Sequence, residues 1–150
     1  MDFNVLHKML RLILICIVSA IFSGCGSNLV PIDQVPMYGG MNRKANSTLK
    51  EADDQFIHGA TQAFGSRKAA SRAWANKAFR DYAEGRSRNG IRRFNQAWLL
   101  DPSNPEVYWG FALWHRHLGE QEQAVSMMKK AYSMGLREAE FLKTYREIVG

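Results

Sequence analysis

The side chains that most often carry catalysis or bind metals are few in this sequence and poorly placed for either task. Histidine occurs at four positions: 7, 58, 115 and 117. On a helix, His115 and His117 would point about 200° apart, so their imidazoles cannot share a metal ion. The sequence has no serine in a strand-turn-helix elbow, no glycine-rich phosphate loop and no acid pair spaced to flank a bond. We therefore predict no catalytic residue, no metal site, no cofactor and no enzymatic activity.

Basic charge is the second chemical feature, and it is concentrated in one stretch. The 150-residue chain has a formal net charge of +6. Residues 67–93 hold nine bases and two acids, which gives 9 − 2 = +7, whereas residues 25–66 and 94–150 each carry −1. The basic patch within this stretch is formed by Arg86, Arg88, Arg92 and Arg93. One interpretation is a solvated helix face; the others are attraction to an acidic protein, to anionic lipid or to cell-wall polymer.

The N-terminal residues have the order of a secretory signal. Lys8 and Arg11 precede an uncharged run of 11 residues at 12–22, which small residues follow. Eleven helical residues span about 16 Å, roughly half the hydrocarbon thickness of a bilayer. The pattern favours an export signal, with an uncleaved membrane anchor as the alternative.

Residues 22–25, FSGC, resemble the lipobox of bacterial lipoproteins, although Phe22 replaces the usual Leu. In that family the signal is cut before the cysteine and the thiol is acylated. The resemblance implies a signal peptide at 1–24, lipidation of Cys25 and attachment to a membrane through acyl chains. Gly26 rather than Asp follows the cysteine, which by the family's sorting rule implies the outer membrane, facing the periplasm. Inner-membrane anchoring is the alternative, and an exported protein rarely meets nucleic acid, so none is predicted as a partner.

Residues 25–46 have the composition of a flexible linker, with two prolines, three glycines and no helical or strand period. A flexible chain of this length has a root-mean-square span of roughly 25 Å. Several apolar residues along it could dock on the folded domain or on a partner, and both alternatives stay open. These residues are Val30, Ile32, Val35, Met37 and Tyr38.

An amphipathic helix is predicted over residues 47–66, ahead of the main domain. Thr48 and Glu51 have the spacing of a capping box, in which the hydroxyl accepts from an amide and the carboxylate reaches back. Gly65 is expected to end this helix, and Ser66 to cap the next one.

A 34-residue repeat organises the rest of the chain, because residues 71–104 match 105–138 in side-chain size. The pairs are Trp74 with Tyr108, Ala78 with Ala112, Gly85 with Gly119, Gly90 with Ala124, Phe94 with Met128 and Ala97 with Ala131. Small residues let two antiparallel helices approach closely, and glycine makes the turn. This pattern resembles the tetratricopeptide repeat (TPR), although Lys77 and Asp81 depart from it.

The predicted fold class is therefore all-α, a short TPR-like helix-turn-helix superhelix of about six helices that follows a lipoprotein signal and a flexible linker. The TPR-like domain covers residues 67–150, and the helix at 47–66 caps its N-terminal end. A last helix at about 137–149 caps the other end. Its apolar face is predicted to be formed by Ala139, Leu142, Tyr145, Ile148 and Val149.

The TPR resemblance implies that the first helix of each unit lines a concave groove. By repeat position, the groove is lined by Arg72, Ala75, Asn76, Phe79, Glu106, Trp109, Leu113 and Arg116. Aromatic and arginine side chains are the types that anchor protein or peptide partners. Burial of Trp109 against the C-terminal helix is the alternative interpretation of that residue.

Together these features favour a bacterial TPR lipoprotein that acts as a non-enzymatic adaptor or scaffold. Its groove would hold a protein or peptide segment and so assist assembly of an envelope complex. The alternative is a structural envelope protein whose basic first repeat binds anionic lipid or cell-wall polymer while the groove stays empty.

Overall fold

The computed structural model describes residues 34, 36, 37 and 46–150, and within them it contains six α-helices and no strand. The predicted signal peptide, Cys25 and most of the linker lie outside the described residues. The predicted all-α fold is confirmed for the described part of the chain. The helices are α1 (Ser47–Phe64), α2 (Arg67–Ala83), α3 (Ser87–Leu100), α4 (Pro105–His117), α5 (Gln121–Ser133) and α6 (Ala139–Val149).

Side-chain caps set the beginning of the first two helices. The side chain of Asn46 accepts from the amide of Leu49 at 3.1 Å, so the predicted cap at Thr48 is wrong, and α1 begins earlier. Asn is a stronger N-cap than Thr, which favours the earlier start. Ser66 caps α2 as predicted, because its hydroxyl accepts from the amide of Ala69 at 3.1 Å.

The turns inside the two repeats have the same backbone geometry. Gly85 and Gly119 both have a φ of 76°, a left-handed conformation that favours glycine. After Gly85, the amide of Arg86 donates to the carbonyl of Asp81 at 2.8 Å, and the second turn repeats this bond at 2.9 Å. This pattern is the Schellman motif, which satisfies carbonyls at the end of a helix.

The repeat positions form the core, as their size classes predict. The residues that are almost completely buried include Ala78, Phe94, Ala97, Ala112, Ala124, Met128 and Ala131. Trp74 joins the N-terminal helix to the repeats, since its ring lies 5.7 Å from that of Phe56 and 5.5 Å from that of Phe64. Close packing of small residues therefore holds each helix pair together, and aromatic rings fill the spaces between pairs.

The C-terminal helix α6 buries most of the predicted apolar face. Ile148 is buried, and Leu142, Tyr145 and Val149 pack against the same core cluster. Ala139 is exposed, so its predicted burial is wrong, whereas Phe141 and Thr144 are buried in addition. Phenylalanine takes the inward position because it buries more apolar area than alanine. Within the described residues, no helix has the length and apolar character needed to cross a bilayer.

Candidate functional site

The first helices of the two repeats and the C-terminal helix lie side by side. The ring of Phe79 on α2 lies 4.5 Å from that of Trp109 on α4, which in turn lies 5.7 Å from that of Phe141 on α6. We call the surface formed by α2, α4 and α6 the first-helix face. All the groove residues that the sequence predicts are on α2 or α4, but Ala75 is completely buried in the core and does not line an open surface.

Trp109 forms the centre of the first-helix face. Its ring contacts those of Phe79 and Phe141, so Trp109 packs against the C-terminal helix while the residue stays partly exposed. Its indole N–H is buried, and it has no hydrogen-bond partner among the described residues. Because buried polar groups are nearly always hydrogen-bonded, an unpartnered donor here is unusual.

At one end of the face, Glu106 presents a second unpartnered group. Its Oε2 atom is buried without a hydrogen-bond partner among the described residues. Burial raises the pKa of this carboxyl, Glu138 raises it further, and Arg72 opposes both effects. Arg72 is exposed on α2, and Asn76 is exposed one helical turn further along that helix. This end therefore offers an acid that holds its proton to higher pH than an ordinary glutamate, within reach of the charge of an exposed arginine.

At the other end of the face, Leu113 and Arg116 link α4 to its neighbours. The hydroxyl of Tyr82 donates to the carbonyl of Leu113 at 3.0 Å. Burial raises the pKa of Tyr82, while the charge of Arg116 acts in the opposite direction. The Arg116 guanidinium lies 3.3 Å from the carboxylate of Glu147 on α6, and both side chains are half-exposed. Sequence analysis did not identify Glu147, because no local pattern distinguishes it from other surface acids on α6.

The four arginines of the basic patch are not equivalent. Arg86 donates to one carboxylate oxygen of Asp81 at 2.9 and 2.6 Å, and Arg93 binds the other oxygen. Asp81 is only 5% exposed. The hydrogen bond from Arg86 is the main reason that the pKa of Asp81 is lowered; Arg93 acts in the same direction and burial opposes it. Arg86 and Arg93 are therefore part of the fold. Arg88 and Arg92 lie on α3, and their side chains are exposed.

The second repeat has a different pair in the same place. Residues 115 and 120 correspond to 81 and 86 by the repeat offset of 34 residues. His115 is buried and its Nδ1 lies 2.6 Å from the carboxylate of Glu120. His117 stacks on Trp114, with ring centroids 5.4 Å apart. No group of three His, Cys, Asp or Glu side chains in the described residues is arranged to hold a metal ion.

Part of the linker lies against the second helix of the first repeat. The backbone amide of Met37 donates to the side-chain oxygen of Asn95 on α3 at 3.0 Å. Gln34 is only 5% exposed. Of the two alternatives for the apolar linker residues, Met37 therefore shows docking on the domain. We call Met37, together with Gln34 and Pro36 just before it, the docked segment. Nothing local in the sequence marks Asn95 as an acceptor for distant backbone.

Comparison with known proteins adds no family assignment. No family model matches the chain, and neither characterised proteins nor solved structures match it significantly. The function must therefore be inferred from the residues of the first-helix face and of the α3 surface.

Proposed function

We propose that the protein is a non-enzymatic adaptor of the bacterial envelope, which is anchored by lipid on Cys25 and binds a protein segment on its first-helix face. The observation that carries this proposal is the pair of unpartnered buried atoms there, the indole N–H of Trp109 and Oε2 of Glu106. Leaving a buried donor or acceptor unsatisfied costs about 1–3 kcal/mol. A partner that supplies hydrogen bonds to this surface recovers that cost on binding.

The two groups suit the backbone of a peptide better than a purely apolar ligand. Trp109 and Glu106 are three residues apart on α4, so they lie on neighbouring parts of one helix face. A peptide carbonyl can accept from the indole N–H, and a peptide amide or hydroxyl can donate to the carboxylate. Small side-chain movements must accompany such binding, because both atoms are buried in the unbound protein. Exposed Arg72 and Asn76 extend the same surface with polar contacts.

Photo-crosslinking in cells tests the adaptor proposal. A photoreactive amino acid at position 72 or 76 samples the first-helix face, and Lys129, exposed on α5, provides the control position. We expect one discrete protein adduct from positions 72 and 76 and none from position 129. Trp109→Phe, which removes only the indole N–H and some ring area, should weaken that adduct. Equal capture from position 129, or an adduct that Trp109→Phe leaves unchanged, would contradict the proposal.

The anchor is tested separately. Metabolic labelling with a fatty-acid analogue should label the wild-type protein and leave Cys25→Ala unlabelled. Cell fractionation should place the wild type with the outer membrane. Label retained by Cys25→Ala would show that acylation, if present, uses another residue.

A further inference from the structure

The surface of α3 next to the docked segment combines exposed arginines with the path of the chain toward the anchor. Arg88, Arg92, Asn95 and Leu99 follow one another at spacings of four, three and four residues, so they form one stripe along the helix. Asn95 in this stripe accepts the amide of Met37. Arg88 and Arg92 are exposed.

We propose that the exposed arginine end of this α3 stripe, Arg88 and Arg92, contacts the anionic phospholipid headgroups of the membrane that holds the N-terminal anchor, and that the first-helix face is thereby turned away from that membrane. The inference rests on the proposed anchor at Cys25 but not on the proposed groove partner. Its first support is the length of chain between the anchor and the domain.

Docking brings the anchor close to α3. Met37 is 12 residues beyond Cys25, and Asn46, where α1 is capped, is 21 residues beyond it. A fully extended chain covers at most about 3.5 Å per residue, so the limits are roughly 40 Å for the first path and roughly 70 Å for the second. With Met37 bonded to Asn95, this part of α3 therefore stays within roughly 40 Å of the anchor, and α3 is the helix to which the anchoring chain is attached.

The second observation that supports a lipid contact on α3 is the arrangement of charges in the first repeat. Asp81 holds Arg86 and Arg93, and Arg67 donates to the carbonyls of Leu99 and Leu100 at the end of α3. Exposed Arg88 and Arg92 lie on the stripe itself. The electric field of anionic lipids extends only about 8–10 Å at physiological salt. A basic surface is therefore attracted to the lipids only when it is close to the membrane, and the short anchoring chain keeps α3 near it.

The test measures which face of the anchored protein meets the lipid. The full chain, purified from the membrane fraction, is reconstituted into vesicles of phosphatidylethanolamine and phosphatidylglycerol in a ratio of about 7:3. A genetically encoded fluorescent amino acid replaces exposed Asn89 on α3 or exposed Asn76 on the first-helix face. A quencher is attached to a small fraction of the lipid headgroups.

We expect quenching at position 89 to exceed quenching at position 76 severalfold. The difference should fall in phosphatidylcholine vesicles and in high salt. Arg88→Gln with Arg92→Gln should reduce it by at least fivefold, because each basic residue near an anionic surface contributes roughly fivefold to binding. The matched control is Lys68→Gln with Arg80→Gln, which removes the same charge from exposed positions on α2 and should leave the difference unchanged.

Two further variants test the docked segment. Asn95→Ala removes the acceptor for the Met37 amide and should reduce quenching at position 89, whereas Asn95→Asp keeps an acceptor oxygen and should restore it. Circular dichroism of each variant establishes that the helices are intact. Equal loss in both variants would show that the hydrogen bond does not position α3.

Other outcomes overturn the proposal. Equal quenching at positions 76 and 89, or equal effects of the two double variants, would show that α3 does not face the lipid. If the chain is not retained on vesicles, the anchor proposal fails. The α3 proposal is then tested alone by adding the protein to preformed vesicles at low salt. Absence of quenching at position 89 in that experiment would contradict the α3 proposal. Binding to purified peptidoglycan, lost in Arg88→Gln with Arg92→Gln, would assign the stripe to cell-wall polymer instead.

Discussion

The two repeats use the same backbone turn, but the acidic side chain that holds it stands on opposite sides of the turn. In the first repeat, acidic Asp81 accepts from Arg86; in the second, His115 at the equivalent position pairs with acidic Glu120. The spacing of five residues across the turn is identical, and both turns have a glycine at φ 76°. The geometry therefore specifies that two complementary side chains meet there, while the acid can stand at either of the two positions.

At some equivalent positions the two repeats can carry the same residue, and at others they cannot. Gly90 corresponds to Ala124, and a Cβ atom at Gly90 would lie 3.3 Å from the carbonyl oxygen of Ala78, which a small shift can relieve. Gly110 corresponds to Asn76, which is exposed. A Cβ atom at Gly110 would overlap the ring of Phe94, so the second repeat needs glycine where the first carries a surface residue.

Gly110→Ala is expected to have the largest effect on stability. Overpacking a core costs about 1–3 kcal/mol, and the clash with Phe94 is severe enough to outweigh the higher helix propensity of alanine. We expect a loss of about 2 kcal/mol in the free energy of unfolding, measured by urea denaturation. Gly90→Ala is the matched control and should change stability by less than about 1 kcal/mol. Similar losses in both variants would show that the overlap with Phe94 is not what makes glycine necessary at position 110.

Asp81→Asn is expected to have the next largest effect, because it removes the charge that both Arg86 and Arg93 bind. Hydrogen bonds to a charged group contribute about 1.5–3 kcal/mol, and solvent screening at the partly exposed arginines reduces this to about 1–2 kcal/mol. Urea denaturation at neutral pH measures the loss. Glu84→Gln, which removes an exposed acid that also pairs with Arg86, should cost much less.

The difference in stability between the wild type and Asp81→Asn should depend on pH, because the pKa of Asp81 is lowered in the folded protein. The carboxylate stabilises the fold fully above its ordinary pKa of about 3.8, and the contribution is lost as the pH falls through the lower pKa of the folded state. The stabilities of the wild type and Asp81→Asn should therefore differ above about pH 4 and converge below it. Urea denaturation at a series of pH values checks this, and a difference that persists at the lowest pH would assign the effect to packing.

The sequence was sufficient to predict the helix pairs but not the contacts between distant side chains. The 34-residue spacing predicts both glycine turns and the buried alanines because these depend on local size and backbone geometry. Asp81 was recognised only as a departure from the TPR pattern, since its partners become visible when the turn brings Arg86 and α3 brings Arg93 beside it. Likewise, Phe141 and Asn95 acquire their roles from contacts 32 and 58 residues away along the chain, which no local period reports.

Exchanging the turn pairs tests whether geometry or residue identity matters. Asp81→His combined with Arg86→Glu places the second repeat's pair in the first turn. We expect the double variant to be more stable than the sum of the two single changes by about 0.5–1 kcal/mol, because the new side chains meet as His115 and Glu120 do. A double-mutant cycle from urea denaturation at about pH 6 measures this coupling. Strict additivity would mean that the first turn cannot bring the exchanged pair together.

Arg116→Gln should have the smallest effect on stability among these variants, because its ion pair is exposed and that of Asp81 is buried. Arg116 also pairs with a carboxylate, that of Glu147, but both side chains are half-exposed, whereas Asp81 is buried. Exposed pairs contribute about 0.5 kcal/mol or less, and salt screens them. Urea denaturation should therefore show a small loss that disappears at about 1 M salt, while the loss in Asp81→Asn largely persists. Equal losses of stability in Arg116→Gln and Asp81→Asn, with equal sensitivity to salt, would contradict this prediction. Burial of the carboxylate would then not explain why some arginine pairs stabilise the fold more than others.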